Sequence, residues 1–173
     1  PVVFMAPDGY WYNGKQNDVS AKVQAVLAKL PTVRLGIVVS YLGTARQAVS
    51  AMQKAVALDD ALADFEAKDV TFERTEFNHP LYILYSSGTT GIPKCIVHGA
   101  GGTLLQHMKE HQLHGGVKDG DRLFYFTTCG WMMWNWLASG LATGATLLLY
   151  DGSPFHPDGN VLFDYADAEK MTY

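Results

Sequence analysis

Apolar residues recur along the chain in two rhythms, one helical and one of short continuous runs. Val2–Phe4 and Tyr10–Tyr12 are short apolar runs around Ala6-Pro7-Asp8-Gly9, which predicts a hairpin or two short strands. Asn17 or Asp18 can cap a helix, and Val19, Val23, Val26, Leu27 and Leu30 then repeat on one face until Pro31. Leu35–Val39 (LGIVV) is continuous and β-branched, the mark of a strand buried on both faces. Ala45, Val49, Met52 and Val56 predict a second amphipathic helix from Thr44, and the charged stretch Asp59–Lys68 a short helix and a loop. Val70–Phe77 alternates apolar and polar residues, and Pro80 punctuates. Leu81–Tyr85 predicts a second buried strand, Cys95–Val97 another strand, and Thr103–His114 a helix. Leu123–Phe126, Trp131–Leu141 and Ala145–Tyr150 follow as strand, helix and strand. Asp151-Gly152-Ser153-Pro154 is a turn, and Asn160 starts a last helix.

Helices alternating with short buried strands predict an α/β fold, with layered, mostly parallel sheets flanked by helices. No internal repeat or low-complexity segment interrupts it. Residues 1–78 form an α/β segment ahead of the loop discussed below, and residues 79–173 a second segment that contains it. Neither end tapers into a linker or charged tail, so the chain is expected to be an internal piece of a longer protein.

Composition narrows the classes. The 173 residues are 48% hydrophobic and 17% charged, enough for a sizeable core. A net charge of −4 argues against a nucleic-acid partner. No apolar run approaches the roughly 20 residues of a membrane helix, and no signal peptide is evident. The only cysteines, Cys95 and Cys129, are far apart. They predict reduced cytoplasmic thiols packed in the interior rather than a disulfide framework.

The candidate chemistry sits after the strand at Leu81–Tyr85, in SSGTTGIPK (Ser86–Lys94). Gly88 and Gly91 remove side-chain bulk and permit positive φ. Ser86, Ser87, Thr89 and Thr90 add hydroxyl donors to the exposed amides, and Lys94 adds a full positive charge. Such a set suits a polyphosphate; a flexible surface turn is the plainer alternative. Two better-known phosphate motifs do not fit. A Walker A loop needs glycine where Pro93 stands, and a dinucleotide fingerprint starting at Gly99 and Gly101 needs glycine where Leu104 stands.

SSGTTGIPK resembles the signature loop of the adenylate-forming superfamily, which includes acyl-CoA synthetases, luciferases and peptide-synthetase adenylation domains. YNGK (Tyr12–Lys15), the stretch His79–His107, FTTCGWMMWNW (Phe126–Trp136) and ATLLLYDGSPFHP (Ala145–Pro157) resemble the acetoacetate-activating acyl-CoA synthetases. The match covers nearly the whole chain but only part of a family protein. It implies part of the large N-terminal domain of an adenylate-forming enzyme. It also implies ATP with Mg²⁺, coenzyme A and acetoacetate as small-molecule substrates. Ser86, Ser87, Gly88, Thr89, Thr90, Gly91 and Lys94 would hold the β- and γ-phosphates, with Lys94 the catalytic charge. Trp131, Met132, Met133 and Trp134, after Gly130, would wall the acyl pocket. The family's adenine, ribose and magnesium motifs, and its mobile C-terminal domain, are expected beyond residue 173, which would leave this piece inactive alone.

Bland readings stand beside these. An aromatic–methionine stripe on a helix can be core packing, and Trp136 is expected to be core. His107, His111 and His114, at i, i+4 and i+7, are expected at a solvated helix end and not at a metal. His98 can support the loop, and His156 is expected in a surface turn. Thr127 and Thr128 can reach a nucleotide or serve as support. Neither cysteine has a histidine partner in sequence, and the implied chemistry needs no protein thiol.

Overall fold

The computed structural model describes residues 1–86 and 91–173. They divide into two compact units: residues 1–70 with 151–159, and residues 71–150 with 160–173.

In the first unit, β1 (Val3–Pro7), β4 (Leu35–Val39) and β5 (Ala55–Ala57) form a parallel sheet in the order β1-β4-β5. Helix α1 (Ser20–Ala28) lies between β1 and β4 in sequence, and α2 (Ala45–Ser50) between β4 and β5. Long crossovers of this kind are what parallel neighbours require. Val23 of α1, Val38 of β4, Ala45 of α2, Met52 and Ala57 make the buried core, with Phe4, Val19, Leu27 and Val49 packed on it. Of the residues that repeat at helical spacing, Val19, Val23 and Leu27 therefore join the core beside the sheet.

Of the hairpin or two short strands expected around Ala6–Gly9, the two strands form, as β1 and a second strand from Gly9, but they do not pair with each other. The nearby hairpin lies further on. It joins β2 (Gly9–Tyr12) to β3 (Lys15–Asp18) through Asn13 and Gly14. Both turn residues have left-handed φ, +52° and +73°, the conformation for which Asn-Gly is favoured. The second helix stops at Ser50, and Val56 belongs to β5, because pairing with Ile37 outweighs continued helical spacing. Val70–Phe77 has no regular structure despite its alternation; no strand pairs with it among the described residues, and an unpaired strand is not stable in water. The short α3 (Leu58–Leu62) falls in the charged stretch, as expected.

Buried Asp8 ties the turn after β1 to the loop before α2. Oδ1 accepts from the Tyr41 and Leu42 amides at 2.9 and 2.8 Å. Oδ2 accepts from the Thr44 amide and hydroxyl at 2.7 and 3.0 Å. Burial pushes this carboxyl up, but the hydrogen bonds outweigh it and hold the group below the usual aspartate value.

In the second unit, β6 (Pro80–Ser86) and β7 (Lys94–Gly99) form an antiparallel ribbon, which leads into α4 (Ala100–Met108). One turn of π-helix, Lys109–His114, continues α4. Strands β8 (Arg122–Phe124) and β9 (Thr146–Leu148) pair in parallel. Between them in sequence come α5 (Met132–Ser139) and a 3-10 turn, Gly140–Thr143. Val117, Leu123, Trp136, Leu137 and Ala145 form the core of this unit, so Trp136 is core as expected. Helix α6 (Val161–Ala168) begins after Asn160. The backbone beyond it returns to β8, where the Phe124 amide donates to the Tyr173 carbonyl at 2.9 Å.

Among the described residues, three of the five strand pairs are parallel, which makes the strand pairing mostly parallel. The strand at Leu81–Tyr85 forms where expected but is not buried. Leu81 is 55% and Tyr85 70% exposed, because a two-stranded ribbon leaves faces uncovered among the described residues. Cys95 and Cys129 are also exposed rather than interior, Cys95 on that same open ribbon. No helix among the described residues is long and apolar enough to cross a membrane.

Candidate functional site

The register of the β6–β7 ribbon places Ser86 directly opposite Lys94. The two strands thus set a hydroxyl residue and a lysine opposite each other at this end of the ribbon. Lys94 is exposed and joins no ion pair among the described residues. Gly91 has φ +138°, where a side chain would strain the backbone, although a Cβ there would meet nothing within 4 Å. Glycine is thus needed for conformation and not for room. Ser87, Gly88, Thr89 and Thr90 lie outside the described residues.

Two clefts flank the start of α5. The larger, about 480 Å³, lies between α4 and α5 at the far end of β7. On one side stand Thr103, Gln106, His107 and Glu110, at i, i+3, i+4 and i+7 of α4 and its π turn. Opposite them are Met132, Met133 and Trp136. The smaller, about 320 Å³, is walled by Tyr125, Phe126, Thr127, Thr128, Trp131 and Met133. Met132 and Met133 thus reach the larger cleft, Trp131 and Met133 the smaller, and Trp134 lines neither. Trp131 is the N-cap residue of α5 and is 70% exposed. The threonines expected either near a ligand or in support stand on the wall of the smaller cleft.

The histidines correct the expectation of a solvated helix end. His111 is 0% exposed and His107 is also buried, whereas His114 is exposed. Both buried rings converge on one hydroxyl. His107 Nδ1 lies 3.0 Å and His111 Nε2 3.1 Å from Ser139 Oγ. His111 Nε2 also lies 2.9 Å from the Trp136 carbonyl. Ser139 Oγ donates to that carbonyl at 2.6 Å. The carbonyl only accepts, so His111 carries its proton on Nε2. The serine has spent its one hydrogen, so His107 must donate from Nδ1. Burial, and then the neighbouring His111, hold His107 below the usual histidine value against the opposing pull of Glu110. Both tautomers are therefore set by α5. His111 stacks on Trp136 with ring centres 4.2 Å apart. His111 Nδ1 is buried without a partner among the described residues.

On the same α4 face, Gln106 Nε2 donates to Glu110 Oε1 at 2.6 Å. Sequence reasoning passed over Gln106, Glu110 and Ser139. The polar stripe at helical spacing through Thr103, Gln106, His107 and Glu110 is a signal that could have found the first two. His98 stands at the cleft end of β7, its ring centre 5.0 Å from that of Tyr82. The His156 ring lies against Gly14, where a Cβ would come within 2.7 Å of Nε2. Among the described residues no cluster of acidic, histidine or cysteine side chains could hold a metal ion.

A serine opposite an exposed lysine at one end of β7 and an amphipathic cleft at the other suit a substrate with a polyphosphate and a short organic group. Comparison with known protein families matches residues 2–173 to the AMP-binding enzymes. The chain belongs to the AMP-binding enzyme family. Within it, the chain is 64% identical over 173 residues to the acetoacetyl-coenzyme A synthetase of Rhizobium meliloti (strain 1021), covering 99% of this chain and 26% of that protein. It is 44% identical over 161 residues to a malonamoyl-CoA synthetase of Penicillium aethiopicum, covering 90% of this chain and 22% of that protein. Among solved structures it resembles acetoacetyl-CoA synthetase from Streptomyces lividans. The TM-score is 0.88 at 43% identity, over 99% of this chain and 26% of that one. The chain thus spans about a quarter of the length of these AMP-binding relatives.

Proposed function

We propose that this chain is the phosphate-loop and acyl-pocket portion of an ATP-dependent acid–thiol ligase that makes acetoacetyl-CoA. In the first half-reaction a carboxylate oxygen of acetoacetate attacks the α-phosphorus of MgATP. The bond from that phosphorus to the bridging oxygen breaks, and pyrophosphate leaves with its electron pair. In the second, the thiol of coenzyme A attacks the acyl carbon, the carbon–oxygen bond to AMP breaks, and the thiol proton is released. Ser86, Gly91 and Lys94, with Ser87, Gly88, Thr89 and Thr90, hold the departing pyrophosphate. Catalysis of this step is positioning and charge neutralisation. Trp131, Met132 and Met133 wall the acyl group.

The observation that carries this reading is the Ser86–Lys94 register pair at one end of β7, with the α4–α5 cleft opening at the other. The named relatives add to it, since acetoacetyl and malonamoyl groups both bear an uncharged carbonyl at carbon 3. The net charge of −4 favours small-molecule substrates over a nucleic acid, and the free thiols suit the cytoplasm.

The test is ATP–pyrophosphate exchange by the full-length gene product that carries this segment, with acetoacetate, acetate, butyrate and 3-hydroxybutyrate offered separately. Exchange with acetoacetate well above the others is expected. Preference for another acid keeps the ligase and moves the substrate; no exchange with any acid overturns the reading.

A further inference from the structure

The α4–α5 cleft has two unlike walls. Met132, Met133 and Trp136 offer thioether and indole surface, which suits carbon. The facing stripe on α4 and its π turn presents polar side chains, Thr103, Gln106, His107 and Glu110, with Gly102 beside them. A plain alkyl chain would satisfy the first wall and leave the second without a match.

Gln106 is the stripe's adaptable donor. One of its two amide hydrogens is taken by Glu110 Oε1 at 2.6 Å, which settles which end of the amide is nitrogen. The second hydrogen remains for a ligand. Glu110 also places a carboxylate in the cleft, and burial, with the neighbouring His111, holds His107 below the usual histidine value there. A second carboxylate on the acyl group would meet the like charge of Glu110, which the exposed Lys109 Nζ, 3.9 Å from Oε1, offsets only weakly.

The geometry points to Gln106 as the residue that recognises a neutral oxygen on carbon 3 of the acyl group, with Glu110 as the positioning residue that aims its amide. This rests on the ligase reading above and names the feature by which that site would select its acid. The spacing fits. Lys94 and His98 stand at the two ends of β7, four residues or about 13 Å apart at ~3.3 Å per residue. That is comparable to the reach from a β-phosphate, through the α-phosphate, to the third carbon of an acyl adenylate.

The experiment measures pyrophosphate exchange by the full-length gene product with acetoacetate, butyrate and malonate. Butyrate has the same chain length without the 3-oxo group. In Gln106→Met the ratio of kcat/KM for acetoacetate over butyrate is expected to fall roughly tenfold to a hundredfold, because the substrate carbonyl is left unpaired in the site. Gln106→Glu keeps the shape and replaces the donor, so it should repeat the loss even if the methionine variant is poorly folded. Glu110→Gln should lower the same ratio and raise exchange with malonate relative to acetoacetate. If the wild type prefers acetoacetate but neither Gln106 variant changes the ratio, the assignment of Gln106 is overturned and the ligase stands. If the wild type exchanges with another acid but not with acetoacetate, the assignment of Gln106 is overturned and the ligase stands; if it exchanges with no acid, the ligase reading itself has failed.

Discussion

Replacing Ser139 with alanine should loosen the contact between α4 and α5 by an amount the geometry sets. The hydroxyl makes three contacts: it accepts from His107 Nδ1 and His111 Nε2 and donates to the Trp136 carbonyl. Two of the three groups are not stranded by its loss, because His111 Nε2 and the Trp136 carbonyl still bond each other at 2.9 Å. His107 Nδ1 loses its partner inside the protein. An orphaned buried donor costs about 1–3 kcal/mol, so a local loss near 2 kcal/mol is expected, less than three independent bonds would suggest. Amide hydrogen exchange on peptides from α4 and α5 of the full-length gene product reads this locally. A loss of about 2 kcal/mol raises exchange through local opening about 30-fold. A change below threefold in both helices would refute the shared-hydroxyl account. Exchange in β1, β4 and β5 should stay as it was.

Three further outcomes are expected. Lys94→Ala should slow adenylation roughly 10- to 150-fold without abolishing it, the worth of one charge-assisted contact of ~1.5–3 kcal/mol, and an unchanged single-turnover rate would remove Lys94 from the site. Asp8→Asn should destabilise the first unit by about 2–4 kcal/mol, since an amide cannot accept from all four donors, read as faster exchange in the Tyr41–Thr44 loop and α2. Acid should loosen α4 against α5. His107 is held below 6.5 in the folded state, with His98, His111 and Glu110 around it, so the unfolded chain protonates first. This contribution to stability is whole above pH 6.5 and declines as pH falls from 6.5 towards the folded value; α4–α5 exchange protection that does not change over that window would contradict it.

Much of the first unit was legible because its signals are local. LGIVV is a strand by its own composition, and the face of α1 is written in the spacing of Val19, Val23 and Leu27. The hairpin was legible too, in Asn13-Gly14, but the proline turn nearby drew the reading away from it. What was not legible depends on partners distant in sequence. His107 and His111 read as solvated because the hydroxyl that satisfies them lies 32 and 28 residues away. Leu81–Tyr85 has the composition of a buried strand, yet composition does not say how many strands will pair beside it. In the candidate site, the loop before Lys94 is visible as small residues ahead of a charge. The role of Gln106 is not, because α5 supplies the wall that turns a helix face into a cleft.

Side chains on a strand alternate, so Lys94, Ile96 and His98 share one face of β7. The even spacing makes the strand a phase lock between its two ends. One inserted residue would turn Lys94 to the opposite face while His98 kept its place by the cleft. Two would restore the facing but lengthen the span by about 7 Å. Cys95 and Val97 alternate with them, and Val97 also lines the cleft. The number of residues between the charge and the cleft is the part that tolerates no drift.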